Sequence, residues 1–343
     1  MDALISLPVI GYFMMPGFFA SYSTSLNLLF FYMTWSTLVL SQPPLKVEVI
    51  GTLGIRVLFW LMPATLFLIF DSILPSLAVG IKHQSEASLP TRGRSKTKIS
   101  TKSTSRPQWF SVIALSLVNI TLSAALQAGV ELLFTQVFHI RSALKITTTL
   151  PMPFSILKDL ARSLLLREVL QYYIHRFILH PSKPNVFSKQ HQKYFHSITA
   201  PYSFAAHYDH PLPYILWRFI PVYLPSVIFR PHLLTYFLLL ALTTLEETFS
   251  LSGYTTVPGI MLGGIARRQD LHSAGKGRGN FAPWGLLDWM HGTSIGTDVV
   301  EDMQDEAEKH RIQERGSEAL EHAKDSGRRG LRGLNGKRKG RKA

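Results

Sequence analysis

Cysteine is absent from the 343 residues. Disulfides, thiolate zinc sites and iron–sulfur clusters are therefore excluded, and any metal must be held by nitrogen or oxygen. Charge is scarce as well. Asp, Glu, Lys and Arg make up 17% of the chain, against about 25% in soluble domains. Hydrophobic residues reach 46% and concentrate in apolar stretches at 24–41, 51–80, 109–134 and 214–250. Runs of that length suit a bilayer rather than the core of a soluble globule. The N-terminus lacks a basic run followed by a compact apolar region and a small-residue cleavage site, so no cleaved leader is expected.

The charge that is present is one-sided, with 36 Lys and Arg against 22 Asp and Glu, a net +14. Residues 82–106 hold seven basic residues against Glu86, and residues 327–343 hold eight and no acid, so these two segments contain the whole excess. Basic, Ser/Thr/Gly-rich segments beside membrane spans behave as cytoplasmic loops attracted to anionic lipid, not as a nucleic-acid surface. Membrane lipids are the expected partners, and nucleic acid is not.

Composition divides the chain into N-terminal membrane segments (1–81), a basic linker (82–108), a domain at 109–297, and a charged helix with a basic tail (298–343). Pro8, Gly11, Pro16 and Gly17 break the first 23 residues into an interfacial or re-entrant piece. A helix over 24–41 stops at Gln42-Pro43-Pro44. The 51–81 stretch spans with Arg56 near one end and Asp71 beyond its middle. The linker has no apolar periodicity and is expected to be disordered. The positive-inside rule places it in the cytoplasm, so 109–134 crosses outward and 154–173 returns the chain as the histidines begin. Residues 214–229 and 233–250 form a hairpin around Arg230-Pro231-His232, with kinks at Pro221 and Pro225. Asn119-Ile120-Thr121 has the form of a glycosylation sequon but lies inside a span. Good helix formers from Glu301 to Arg315 predict a solvated helix. The fold class is all-α: a polytopic membrane bundle with a helical cap that carries the histidines.

Of the thirteen histidines, His175, His180, His191, His196, His207 and His210 fall within 36 positions (175–210). A single histidine is most often a surface or hydrogen-bonded core residue. Clustering at the end of membrane spans points instead to imidazole ligation of a borderline metal. Glu168, Tyr172 and His175 share one helix face. His180 lies about 140° round an ideal helix from His175, so both reach one site only if the helix end unwinds, and Pro181 disfavours helical geometry there.

The blocks HRFILH (175–180), HQKYFHSITAP (191–201), AAHYDHPL (205–212), SGY (252–254), RRQDLHSAGKGRGNF (267–281) and GLLDWMHGT (285–293) resemble, in order, those of the sterol desaturase and fatty acid hydroxylase superfamily. That resemblance implies an endoplasmic-reticulum protein whose cytosolic histidine boxes hold two non-haem irons. With electrons usually delivered by cytochrome b5, such irons activate dioxygen to hydroxylate or desaturate sterols and acyl chains.

Position by position, His175, His180, His196, His210 and His272 stand at the family's ligand positions. Gln192, Phe195, Leu251, Gln269 and Ser273 stand where the pattern has histidine. His191 is one residue out of register, about 100° away on a helix, and joins His207, Asp209 and Asp270 as a secondary candidate. Glu168, Glu246 and Glu247 are further carboxylates within reach. Five histidines are too few for two irons, so one iron or fewer per chain is expected. The implied function is modification of a lipophilic substrate, sterol, acyl lipid or terpenoid-like metabolite, at an eroded iron site. The competing reading is a non-catalytic pseudo-oxygenase that binds lipid or scaffolds partner enzymes. No catalytic residue is assigned. Gly275–Gly279 lacks the spacing of a phosphate loop and reads as a flexible connector. Trp284, Trp289 and Met290 suit a lipophilic pocket or an interfacial belt. The basic tail suits a retrieval signal, a lipid contact or a plain solvated end.

Overall fold

The computed structural model describes residues 22–90, 106–257 and 261–309. The expected N-terminal interfacial piece, most of the basic linker and the basic tail lie outside them. Among the described residues every named element is helical, with two isolated backbone bridges, Lys82 to Tyr254 and Lys145 to His232.

Helix α1 is Tyr22–Ser41. Extended Pro43 (φ −57°, ψ 137°) then sets up Pro44 at the first turn of α2, where a missing N–H costs nothing. Helix α2 runs Pro44–Ile73 through a π turn at Val57–Leu61. It starts earlier than the apolar run suggests, so Arg56 sits near its middle rather than near an end. Leu74-Pro75 breaks the helix, and α3 (Pro75–Gly80) follows. The remaining elements are α4 (Trp109–Val137), α5 (Pro153–Ile174), α6 (Val186–Tyr194), α7 (Pro211–Phe229), α8 (Leu233–Ser250), α9 (Leu262–Ala274), α10 (Leu286–Met290) and α11 (Val299–Lys309).

By length and composition α2, α4, α7 and α8 are apolar enough to cross a membrane. Helix α5, expected as a crossing, is not among them, because Lys158, Asp159, Arg162, Arg167 and Glu168 interrupt it. It still runs the length of the bundle. Arg162 near its start donates to the Phe229 carbonyl at the end of α7, and Gln171 near its end donates to the Trp217 carbonyl near the start of α7.

One end of the bundle is closed by the 142–147 loop, which exchanges backbone hydrogen bonds with Pro231 and Leu233 and accepts Trp35 Nε1 at 2.9 Å. Around it a core forms from Trp35, Val47, Leu144, Tyr223 and Leu233. Arg230, left-handed at φ 48°, makes the hairpin turn between α7 and α8. At the opposite end a second core gathers Trp60, Leu179, Phe195, Phe204, Trp217 and Leu251. Asn119 is buried there, its amide donating to the His207 and Asp209 carbonyls at 2.9 Å each, an occupation that accounts for the sequon-like triplet without a sugar.

The start of the linker is not disordered. Lys82 is buried with Nζ 2.5 Å from Asp71, Gln84 donates to the Thr199 carbonyl and to Asp270, and residues 85–88 form a short 3-10 turn. An ammonium removed from water has to be paired, and Asp71 supplies the partner. Arg106 reaches the Ala200 carbonyl, so both ends of the linker meet the histidine end of the bundle. Helix α11 is less solvated than its composition predicts: Val299 is buried, and Asp302 pairs with Arg267 and Arg268. Positions 310–315 of the expected helix lie outside the described residues.

The two acids of α8 are paired with arginines. Glu247 lies 2.9 Å from Arg218, 3.4 Å from Arg167 and 4.0 Å from Arg56, and Glu246 lies 2.9 Å from Arg167. Both carboxylates are committed to arginines, and although Glu247 also lies 3.9 Å from His207 Nδ1, neither belongs to the group His175, His180, His191 and His272 whose nitrogens converge, so they are not placed as metal ligands.

Candidate metal centre

Helix α5 delivers His175 with Glu168 and Tyr172 on its buried face. It continues as a π turn, His175–Leu179, in which the His180 N–H bonds the His175 carbonyl at 2.9 Å. The wider i→i+5 turn takes up the angular gap that an ideal helix would leave. The rings of His175 and His180 stand 4.9 Å apart, so the helix end widens rather than unwinding.

Asn185 and Ser188 form a capping box that starts α6, and the Asn185 amide ties it back to the Ile178 carbonyl. His191 points inward from this helix, where Asp209 Oδ2 accepts its Nδ1 at 2.6 Å. The backbone tightens to a 3-10 turn at Phe195–Ser197, which also brings His196 in, with its ring 5.0 Å from those of His180, His191 and His272. His272 comes from α9. The loop after it is a wall of the site and no mere flexible connector. Gly277 (φ 81°) lies so close to His180 that a Cβ would meet its ring at 2.0 Å.

One ligand nitrogen from each of His175, His180, His191 and His272 lies within 4.8 Å of the others. The Nδ1 atoms of His175, His272 and His191 are held by the Phe281 carbonyl (2.8 Å), the Gly279 carbonyl (2.7 Å) and Asp209. Accepting groups at Nδ1 fix the tautomer that leaves Nε2 with its lone pair. All three Nε2 atoms are buried and have no hydrogen-bond partner, a costly condition unless something occupies the space between them. Burial holds His272 down to about 4, partly offset by the Gly279 carbonyl. Burial, then the neighbouring His272 and His191, hold His180 down to about 2. His196 is lowered well below its usual value for the same reasons. These imidazoles are neutral near pH 7, the form that ligates.

The donor set fits one metal ion. A metal–nitrogen distance of about 2.1 Å limits ligand pairs to about 4.2 Å, so side-chain adjustments of about half an ångström close the ring. Two ions are harder to accommodate, because two of the positions where the family carries histidine are filled with carbon. Phe195 stacks on His191 (5.0 Å, 10°), and Leu251 is fully buried.

His210 stands apart from the cluster as the N-cap of α7, its Nδ1 accepting the Leu212 N–H and its ring 5.3 Å from Tyr194. His207 is buried against Trp60, with Nδ1 3.1 Å from the Tyr214 hydroxyl. Asp270 faces Gln84, and Glu168 accepts the Trp284 N–H. Asp209 touches a histidine rather than the space between histidines. Sequence reading did not single out the carbonyls of Gly279 and Phe281, nor Trp217, whose ring lies 4.2 Å from His175. Carbonyls carry no residue-type signal, and Trp217 sits inside an apolar run. Gln192 counts in the motif as a lost histidine, yet its amide lies 3.1 Å from His180 Nδ1.

The family model for fatty acid hydroxylase matches residues 160–293, which contain the whole cluster. Human fatty acid hydroxylase domain-containing protein 2 is 33% identical over 98 residues, covering 29% of this chain and 28% of that protein. Methylsterol monooxygenase 1-1 of Arabidopsis thaliana is 31% identical over 168 residues, covering 47% of this chain and 53% of that protein. The chain thus spans about half or less of the length of these relatives. No solved structure matches.

Proposed function

We propose that this chain is a membrane-embedded, lipid-modifying protein of hydroxylase or desaturase type, of the sterol desaturase and fatty acid hydroxylase superfamily that residues 160–293 match, with a single iron held by His175, His180, His191 and His272. The observation that carries this reading is the set of three buried Nε2 atoms without partners beside Nδ1 atoms already held. Bound there, iron would supply the activation of dioxygen for oxidation of a lipid C–H bond, and four side-chain ligands leave coordination positions open.

The chain's own residues fix the imidazoles and exclude water. The Phe281 and Gly279 carbonyls and Asp209 hold three rings in one tautomer, and the Gln192 amide orients His180. Phe195, Trp217 and Leu251 wall the site with carbon. The substrate is lipophilic: a sterol, an acyl lipid or a terpenoid-like metabolite. Electrons come from a donor of cytochrome b5 type. The histidine end faces the cytosol from the endoplasmic-reticulum membrane, because the basic residues of 91–105 join that end. Protease added to sealed microsomes cuts within 91–105 if this orientation holds, and protection of that segment overturns it.

Elemental analysis of protein extracted in mild detergent is expected to give about one iron per chain, from the ligand count. Two tightly held irons would overturn the single-ion reading. Full cellular function without any metal would favour the second reading, a pseudo-oxygenase that binds lipid or partner enzymes, which the buried Phe195 and Leu251 at ligand positions support.

A further inference from the structure

Helix α10 has two faces. On the inner one Leu287 packs with Tyr172, Phe281 and Ala282. Asp288, also buried, accepts the backbone N–H groups of Phe281 and Ala282 at 2.9 and 2.8 Å. Its carboxylate thus fixes the stretch of chain whose Phe281 carbonyl orients His175. On the outer face Trp289 is 50% and Met290 68% exposed. Trp284, by contrast, is not on this face, since its Nε1 donates to Glu246 at 3.0 Å.

The outer face continues a longer one. His291, directly after α10, stacks on Tyr172 at 5.0 Å and meets Tyr173 edge-on at 6.1 Å, so α10 lies beside the end of α5. Leu157, Leu165, Val169, Tyr173 and Phe177 are all exposed there and recur at multiples of four residues, an apolar stripe along α5. In a bundle whose neighbouring helices are membrane spans, such a stripe faces acyl chains. Arg176 lies over the Tyr172 and Phe177 rings, at 5.7 and 5.1 Å. Aromatic rings beside an arginine mark the level where acyl chains give way to headgroups.

We propose that α10 is a bilayer-interface anchor. Trp289 and Met290 enter the headgroup–acyl boundary where the α5 stripe ends, and the membrane thereby holds the loop that orients His175. The occupant is lipid, on the continuity with the α5 stripe, and the inference does not depend on which metal is bound.

The chain contains no cysteine, so Met290→Cys creates a single labelling site. With a nitroxide at that position in the full chain, reconstituted in phosphatidylcholine vesicles, relaxation is expected to be enhanced by oxygen and not by a water-soluble nickel chelate. Access to nickel equal to that of a label in water would overturn the proposal and leave the face to water or a soluble partner. Trp289→Phe gives an independent reading in a conservative variant. The emission it removes is expected to be the part quenched by lipids brominated high on the acyl chain. If that emission is quenched by aqueous iodide and not by brominated lipid, the anchor is refuted.

Discussion

His191 Nδ1 lies 2.6 Å from Asp209 Oδ2, with both side chains buried. A carboxylate in that position keeps the proton on Nδ1 and turns Nε2 toward the other histidines. If His191 ligates as proposed, Asp209 acts through it instead of as a ligand itself. Asp209→Ala is expected to weaken metal binding about 10–100-fold, the range typical of lost outer partners. Competition against a chelator measures it, and unchanged affinity would show that His191 is held by packing alone.

His191 and His210 separate geometry from motif. Motif alignment favours His210, whereas the structure gathers His191 into the cluster and leaves His210 as a helix cap. Metal content is expected to drop in His191→Ala and to persist in His210→Ala, which loses only a cap worth about 0.5–2 kcal/mol. The reverse pattern would restore the motif's assignment.

Gly277→Ala tests the wall beside His180. A Cβ there meets the His180 ring at 2.0 Å, and the backbone is left-handed at φ 81°. Backbone strain alone costs about 1–2 kcal/mol. Metal binding is expected to fall as far as in His180→Ala. Gly263→Ala, which meets nothing within 4 Å, is the control and should bind normally. Equal binding by both variants would mean that the loop yields without disturbing His180.

How much of this was legible beforehand depended on whether a signal resided in residue type. Apolar runs located α2, α4, α7 and α8, and the histidine blocks placed the cluster between residues 175 and 272. Helix α5 was anticipated in place, but its ionic face is legible only once Arg167 is seen meeting Glu246 and Glu247 on α8. The place of His191 depended on the capped start of α6 and on Asp209, eighteen residues away, and periodicity along one helix reports neither. Lys82 reads as the opening of a disordered segment because nothing local announces a partner eleven residues back, at Asp71.

Glu247 is shared by three arginines from three other elements: Arg56, Arg167 and Arg218. Removing one member of a buried ionic group leaves the rest uncompensated. Glu247→Ala is expected to destabilise the bundle by on the order of 3–5 kcal/mol, read as a lower midpoint of thermal unfolding in detergent. A variant with the midpoint of the parent would mean that Glu246 alone neutralises the arginines.

The π turn at His175–Leu179 ties the site to backbone form as well as to residue identity. A π turn holds one residue more than the α-helical turn it replaces. Were the same five-residue step to relax into a regular α-helix, His180 would swing to about 140° from His175 and leave the cluster although every histidine remained in the sequence. Removing one residue from 176–179 instead leaves the two histidines four apart, on one face of a regular helix. The pair therefore tolerates a deletion that a fixed motif spacing would count as a loss, and is broken by a change of helix type that no histidine count records.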